Sequence, residues 1–213
     1  MINVKKVIDN LPKFETFCSV DKMYALVDEL KLDDRFNVDI VGKSEGGAPI
    51  HHIKFGKGSI KVLVVAGPHA DEPIGGVTVY SLLSLLRAGN SDLTNQNIEW
   101  HIAPCVDPDG TRLNEGWSQK EFTLKNFMKY FHKQNGEDQV EMSFPWKYKN
   151  INFDKMTAGS IALLKILEDV NPDYYFSLHN TTIGGAHYYL SSKINKKYYQ
   201  QLHRLLKETG IPT

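Results

Sequence analysis

Three side chains in this sequence have the types and spacing for metal chemistry. His69 and Glu72 are separated by two residues, just after an apolar run at residues 62–66, and His179 follows a second apolar run at 174–178. Both runs are short and rich in β-branched or aromatic residues, the pattern of strands buried in a parallel sheet. In an open α/β sheet, ligands bind beyond the carboxyl ends of the strands. Two such strands lying close together would carry His69, Glu72 and His179 to one crevice. Two imidazoles and one carboxylate form a donor set suited to catalytic zinc, with the fourth position left for water. Plainer readings stay open at this point. His69 and Glu72 could cap a helix opening near Pro73, where a carboxylate gains about 0.3–1 kcal/mol from the helix dipole. His179 taken alone could be a hydrogen-bonded structural histidine.

The elements expected around these residues mostly alternate between strand and helix. A helix is expected over 19–32, capped by Ser19, with Met23, Leu26, Val27 and Leu30 on its apolar stripe. Strands at 36–41 and 50–55 flank the turn-rich segment 44–49 and predict a hairpin. The helix from Pro73 carries Val77, Tyr80, Leu83 and Leu86 on one face and stops at Ala88-Gly89-Asn90. Another strand is expected over 98–104, and an amphipathic helix over 157–170. A Gly184-Gly185 turn, a strand at 187–191 and a helix from about Asn195 to Glu208 follow. Residues 106–152 read as an irregular segment, which inside a compact domain is usually functional. The alternation predicts an α/β sheet with helices on both faces.

Composition narrows the function classes. The chain has 213 residues, enough for one sizeable domain, with 41% hydrophobic and 23% charged residues. Twenty-five basic and 25 acidic side chains cancel, so charge favours neither nucleic acid nor an anionic membrane as a partner. Two cysteines far apart, Cys18 and Cys105, make no disulfide framework and fit a reducing compartment. No stretch approaches the roughly 18 apolar residues of a membrane span, and the N-terminus lacks the apolar core of a signal peptide. The expected location is the cytoplasm.

Taken together, the segments resemble the zinc carboxypeptidases, the M14 metallopeptidase family. Residues 41–50 (VGKSEGGAPI) are similar to that family's entry hairpin, and 64–73 (VVAGPHADEP) contain its His-x-x-Glu zinc motif. Residues 105–112 (CVDPDGTR) resemble its Asn-Pro-Asp-Gly segment, 150–154 (NINFD) its Asn-Arg-Asn segment, and 177–179 (SLH) the strand bearing its third zinc ligand. The order is that of the family, and the likeness runs over roughly residues 38 to 191. It implies an α/β fold with a mixed, mainly parallel central sheet flanked by helices, Zn2+ on His69, Glu72 and His179, and cleavage of a peptide or amide bond through a zinc-activated water. It also implies a single metallopeptidase-like domain over 1–213, lacking the C-terminal part of the family's catalytic domain.

Several positions depart from the family. The family's Asn-Arg pair grips a substrate carboxylate; here Asn150 matches, but Ile151 replaces the arginine and cannot make the bidentate charged contact. Tyr148 stands where an acidic residue usually supports the site. Arg112 is the candidate cation for a developing negative charge, or else a loop arginine paired with Asp107 or Asp109. The substrate is then expected to be gripped elsewhere, by Arg112 or by the loop holding Trp117 and Trp146. The family's general acid/base glutamate lies downstream of the third ligand, where this chain has only Glu208, read as a solvated helix charge. Substrates implied are a peptide or, through a neighbouring branch of the fold, a small N-acyl amino acid. A metal-binding pseudoenzyme that serves as a binding module is the expectation of another class.

Overall fold

The computed structural model describes residues 4–180, 185–193 and 195–212 of the chain. The chain divides into two compact units, Met1–His179 and Asn180–Thr213. In the first, helices α1 (Val4–Asp9) and α2 (Val20–Leu30) precede the hairpin of β1 (Phe36–Lys43) and β2 (Pro49–Phe55). Strand β3 (Ile60–Val65) leads to α3 (Ile74–Arg87) and the short α4 (Ser91–Thr94), and β4 (Ile98–Ala103) leads to α5 (Pro108–Ser118) and α6 (Leu124–Tyr130). Two single turns of 3₁₀ helix at Gly136–Asp138 and Val140–Met142 precede β5 (Trp146–Tyr148), β6 (Ile151–Phe153), α7 (Ala158–Val170) and β7 (Tyr174–Ser177). The second unit carries α8 (Lys196–Glu208).

The main sheet has the order β1-β2-β4-β3-β7. Strand β2 runs antiparallel to both its neighbours, whereas β4, β3 and β7 pair in parallel. Only β2 therefore opposes the other four directions, and the sheet is mixed but mainly parallel. Strand β3 explains its own unbroken apolar run, because both its faces are covered. Val62 and Val64 pack with Ile53, Phe55 and Ile102 against α2 and α3. Leu63 and Val65 pack with Ile50 and Ala103 against Leu163, Ile166 and Val170 of α7. Fully burying each such side chain contributes about 1.5–3 kcal/mol. Helices thus lie on both faces, as expected. Ser19 caps α2 by accepting from Lys22 N at 3.1 Å, and Asn195 caps α8 in the same way from Lys197 N.

Two expectations fail. The segment 106–152 is not irregular: it holds α5, α6, two 3₁₀ turns and the β5–β6 hairpin. Helix α5 starts as a proline-opened helix should, with Asp107 accepting from Gly110 N at 2.9 Å and Pro108 in the first turn. Its sequence is glycine-containing and mostly polar, so the helix depends on tertiary contacts that periodicity does not reveal. Trp117, only 4% exposed, packs edge-on against Phe17, Phe122 and Phe127, and its Nε1 donates to Asn114 Oδ1 at 2.8 Å. The strand expected over 187–191 does not form: these residues pair with no strand among the described residues, and Tyr188, Tyr189 and Leu190 are exposed. Gly184 of the expected turn lies outside the described residues. No helix among the described residues is long and apolar enough to cross a membrane. Both cysteines are buried free thiols.

A histidine pair between β2 and β4 gives the fold a defined acid sensitivity. His52 and His101 stack with centroids 5.1 Å apart, and His52 Nε2 lies 3.0 Å from His101 Nδ1. Burial first, then the charge of a protonated His101, pushes His52 from its ordinary 6.5 down to about 4. The unfolded chain takes up this proton near pH 6.5 and the folded chain only near pH 4. Stability is therefore complete above pH 6.5 and is lost as the pH falls through that window, by at most about 1.4 kcal/mol per pH unit for one proton. In denaturant titrations between pH 7.5 and 4, His52→Gln should lose stability less steeply on acidification than wild type. Parallel pH profiles for the two proteins would contradict this.

Candidate metal centre

The parallel pairing of β3 with β7 brings the predicted residues together. Val65 is in register with Ser177, and Leu178 N donates to Val65 O at 3.0 Å, so both strands end at the same level. Beyond β3 the chain turns at Gly67, whose φ of +70° lies in the left-handed region where glycine carries no steric penalty. A tight turn, closed by Glu72 N donating to His69 O at 3.1 Å, puts both side chains on one side. His179 arrives two residues beyond the end of β7.

His69 Nδ1 lies 3.1 Å from Glu72 Oε1, and His179 Nδ1 lies 2.8 Å from Glu72 Oε2. The two imidazole rings are 4.7 Å apart, centroid to centroid. The helix-capping reading of Glu72 does not hold: α3 has Pro73 at its N-cap and no side-chain cap, and both Glu72 oxygens face imidazoles. Burial works to raise the Glu72 carboxyl, but hydrogen bonds from His179 and His69 and their positive charge outweigh it and bring it down to about 2.

A fourth residue belongs to this cluster and was missed in the sequence. Glu141, in the 3₁₀ turn Val140–Met142, places Oε2 3.0 Å from His179 Nε2 and accepts from Tyr175 OH at 2.7 Å and from Ser177 Oγ. Burial alone would raise its carboxyl, yet bonds from His179, Ser177 and Tyr175 lower it to about 2. Glu141, followed by Glu72, raises His179 to about 9. Nothing about Glu141 is periodic, since it is one charge between Val140 and Met142. The available signal lay in β7 and the two residues after it, where Tyr175, Ser177 and His179 alternate onto one face and together call for an acceptor.

Ligand-type atoms of His69, Glu141 and His179 also lie within 4.8 Å of one another. Two carboxylates thus flank the histidine pair, Glu72 on the Nδ1 side of His179 and Glu141 on its Nε2 side. The donor chemistry fits a metal: in this protein, protons and hydrogen bonds hold together two imidazoles and a carboxylate of the kind zinc binds.

The other predicted residues lie apart from this network. Arg112, on α5, pairs with neither Asp107 nor Asp109; its Nη2 donates to Asp21 Oδ1 at 2.6 Å. Asp107 and Asp109 instead accept from the backbone of Gly110 and Gly46. Asn150 sits at the exposed tip of the β5–β6 hairpin, and Ile151 beside it is 58% exposed. Trp146 is exposed on β5, whereas Trp117 is buried and is not part of a binding loop. Asp71, next to Glu72 in sequence, is paired with Lys133 Nζ at 2.9 Å. Glu208 lies on the exposed face of α8, 3.6 Å from Arg204.

Residues 23–182 match the family model for zinc carboxypeptidases. The chain belongs to the zinc carboxypeptidase family. No curated protein matches it in sequence. Among solved structures, the chain resembles bovine thrombin-activatable fibrinolysis inhibitor in complex with tick carboxypeptidase inhibitor, at 15% identity and TM-score 0.56 over 91% of this chain and 71% of that one. It also resembles carboxypeptidase A from Helicoverpa armigera, at 17% identity and TM-score 0.55 over 86% and 51%. A metallo-carboxypeptidase from Pseudomonas aeruginosa, in complex with (2-guanidinoethylmercapto)succinic acid, matches at 13% identity and TM-score 0.51 over 90% and 48%. The chain spans about half the length of the last two. Identities at this level establish the fold, and the family's zinc dependence gives the histidine–glutamate cluster its context.

The turn that carries Glu141 is seated by α7. Val140 is buried against this helix, and Ser160 Oγ donates to Val140 O at 2.6 Å. A Cβ on Gly159 would meet Val106 O at 2.5 Å and Val140 Cγ2 at 2.6 Å. Helix propensity favours alanine here by up to about 1 kcal/mol, but a clash with backbone cannot be relieved by rotating a side chain. Gly159→Ala should therefore destabilise the protein by about 1–3 kcal/mol, read as a lower midpoint in denaturant. An unchanged or raised midpoint would show that the Val140–Met142 turn yields freely.

Proposed function

We propose that His69, Glu72 and His179 hold one zinc ion and that the site is the metal half of a metallocarboxypeptidase-type hydrolase acting on a peptide or amide bond. The observation that carries this reading is the convergence of both histidine Nδ1 atoms on one glutamate carboxylate at neighbouring strand ends, in a chain of the zinc carboxypeptidase family. Zinc in such a site supplies Lewis-acid polarisation of a carbonyl and a water that ionises near neutral pH.

The protein's own residues set the limits of the chemistry. Arg112 is the cation proposed to meet negative charge on the substrate. Its bond to Asp21 is solvent-exposed, where water and salt screen the pair and leave it little net strength, so a substrate carboxylate can displace it. Asn150 is proposed to donate hydrogen bonds to the same substrate end. Ile151 offers no charge there, so substrates relying on a simple carboxylate clamp should bind poorly. Positioned general acid–base groups contribute about 10²–10⁴-fold, and Glu208, the one carboxylate after His179, is tied to its own helix. The peptide reading is preferred to an N-acyl amino acid substrate, because the family and its structural relatives are carboxypeptidases.

Metal analysis of the purified 213-residue protein should find one zinc per chain, and none in the double variant His69→Ala, His179→Ala. Equal zinc in both proteins would refute the site. The zinc-loaded chain should turn over C-terminal peptide and N-acyl substrates only feebly. Robust zinc-dependent turnover would mean that a base has been overlooked.

Position 151 provides a separate test. Because Ile151 is exposed, Ile151→Arg should leave stability within about 0.5 kcal/mol of wild type while tightening the binding of a peptide with a free C-terminal carboxylate. Calorimetry showing the same affinity for both proteins would remove position 151 from the substrate cleft.

A further inference from the structure

The geometry points to Glu141 as the positioning residue that fixes His179 for the metal, a role resting on the zinc reading above. Alternate residues of one strand converge on its carboxylate. Tyr175 OH and Ser177 Oγ donate to Oε1, and His179 Nε2 lies 3.0 Å from Oε2. Ser177 Oγ is also 3.0 Å from His179 Nε2, so the hydroxyl that donates to Glu141 can accept from the same ring N–H. An imidazole that donates from Nε2 presents its lone pair at Nδ1, the atom that faces Glu72 at 2.8 Å. A carboxylate on the far nitrogen thus selects the tautomer, fixes the ring plane and makes the near nitrogen a stronger donor.

Three observations favour this role over others for Glu141. Both of its oxygens are engaged by protein donors, which leaves it poorly placed to act as a free base. It meets the ring nitrogen opposite the one turned to Glu72, so one ion held by both Nδ1 atoms would sit on the far side of the imidazole from it. Its backbone is anchored through Val140 and Ser160 in the core, which gives the carboxylate a fixed address. The support is also one-sided. His69 Nε2 is buried with no hydrogen-bond partner among the described residues, and Tyr148, where the family resemblance places an acidic support, is exposed on β5. Glu141 therefore supplies from a 3₁₀ turn, to the second histidine, what no described residue supplies to the first.

The test is zinc affinity, measured by competition with a chromophoric chelator on the intact chain. Wild type should bind one zinc. Glu141→Gln, which keeps the shape and removes the charge, should weaken binding about tenfold, and Glu141→Leu up to about 100-fold, both with a stoichiometry of one. Tyr175→Phe should weaken it less. The Co2+-loaded Glu141→Gln protein should keep the visible absorption bands of wild type, because no ligand has been lost, whereas His179→Ala should lose them. Unchanged affinity in both Glu141 variants overturns the proposal. So does complete loss of stoichiometric zinc and of the cobalt bands in folded Glu141→Gln, which would make Glu141 itself a ligand. Thermal melts of the metal-free proteins show whether each variant is folded; if Glu141→Leu is not, Glu141→Gln and Tyr175→Phe decide. If the double variant His69→Ala, His179→Ala binds zinc as wild type does, the zinc site itself is wrong. If it does not, and the Glu141 variants match wild type, only the positioning role fails.

Discussion

Everything at the candidate metal centre depends on the parallel register between β3 and β7. Pairing Val65 with Ser177 sets both strand ends level, so His69 and His179 leave the sheet side by side. A slip of one residue would turn Tyr175, Ser177 and His179 to the opposite face and away from Glu141. Packing seats β3 itself, with Leu63 and Val65 against α7 and Val62 and Val64 against α2 and α3. Hydrogen bonds at both ends then lock β7 to it: Lys61 N donates to Asp173 Oδ2 at 2.8 Å and Asp173 N to Lys61 O at 3.0 Å at one end, and Leu178 N donates to Val65 O at 3.0 Å at the other.

The polar residues form two layers around the histidines. Glu72 meets the two Nδ1 atoms from the His69–Glu72 turn, and Glu141 meets His179 Nε2 from the turn seated on α7. His179 sits between the carboxylates, and both raise its proton affinity. That proton and a metal ion compete for the same Nδ1, so metal binding must displace it. The electrostatics that draw the Glu72 carboxylate to the two imidazoles are those that would organise these three side chains around a dication. The residues proposed for the substrate end are less organised: Arg112 is held by Asp21 at the surface, and Asn150 and Ile151 lie at the exposed corner of a hairpin whose charges are Lys147 and Lys149.

How much of this was legible in the sequence follows from the range of each interaction. The strand at 62–66 and the helices over 20–30 and 158–170 are written as local apolar patterns, and they were readable, the first helix with its Ser19 cap. The His-x-x-Glu turn and His179 were readable because strand-end placement follows from α/β topology. Helix α5 was not, because its polar, glycine-containing sequence is helical only through Asp107, Pro108 and the packing of Trp117. Glu141 was not, because its partners Tyr175, Ser177 and His179 lie 34 to 38 residues away and no periodicity links them. The strand expected over 187–191 was misread for the converse reason: apolar and aromatic content is necessary for a strand, but a ladder partner is what makes one.

The most direct measurement is a crystal of the zinc-loaded protein with anomalous diffraction collected on either side of the zinc edge. A single anomalous peak should lie about 2.0–2.2 Å from His69 Nδ1, from His179 Nδ1 and from a Glu72 carboxylate oxygen, with Glu141 still bonded to His179 Nε2. A peak bonded to Glu141 in place of Glu72, or a fully zinc-loaded protein with no peak between the two histidines, would contradict the proposed centre.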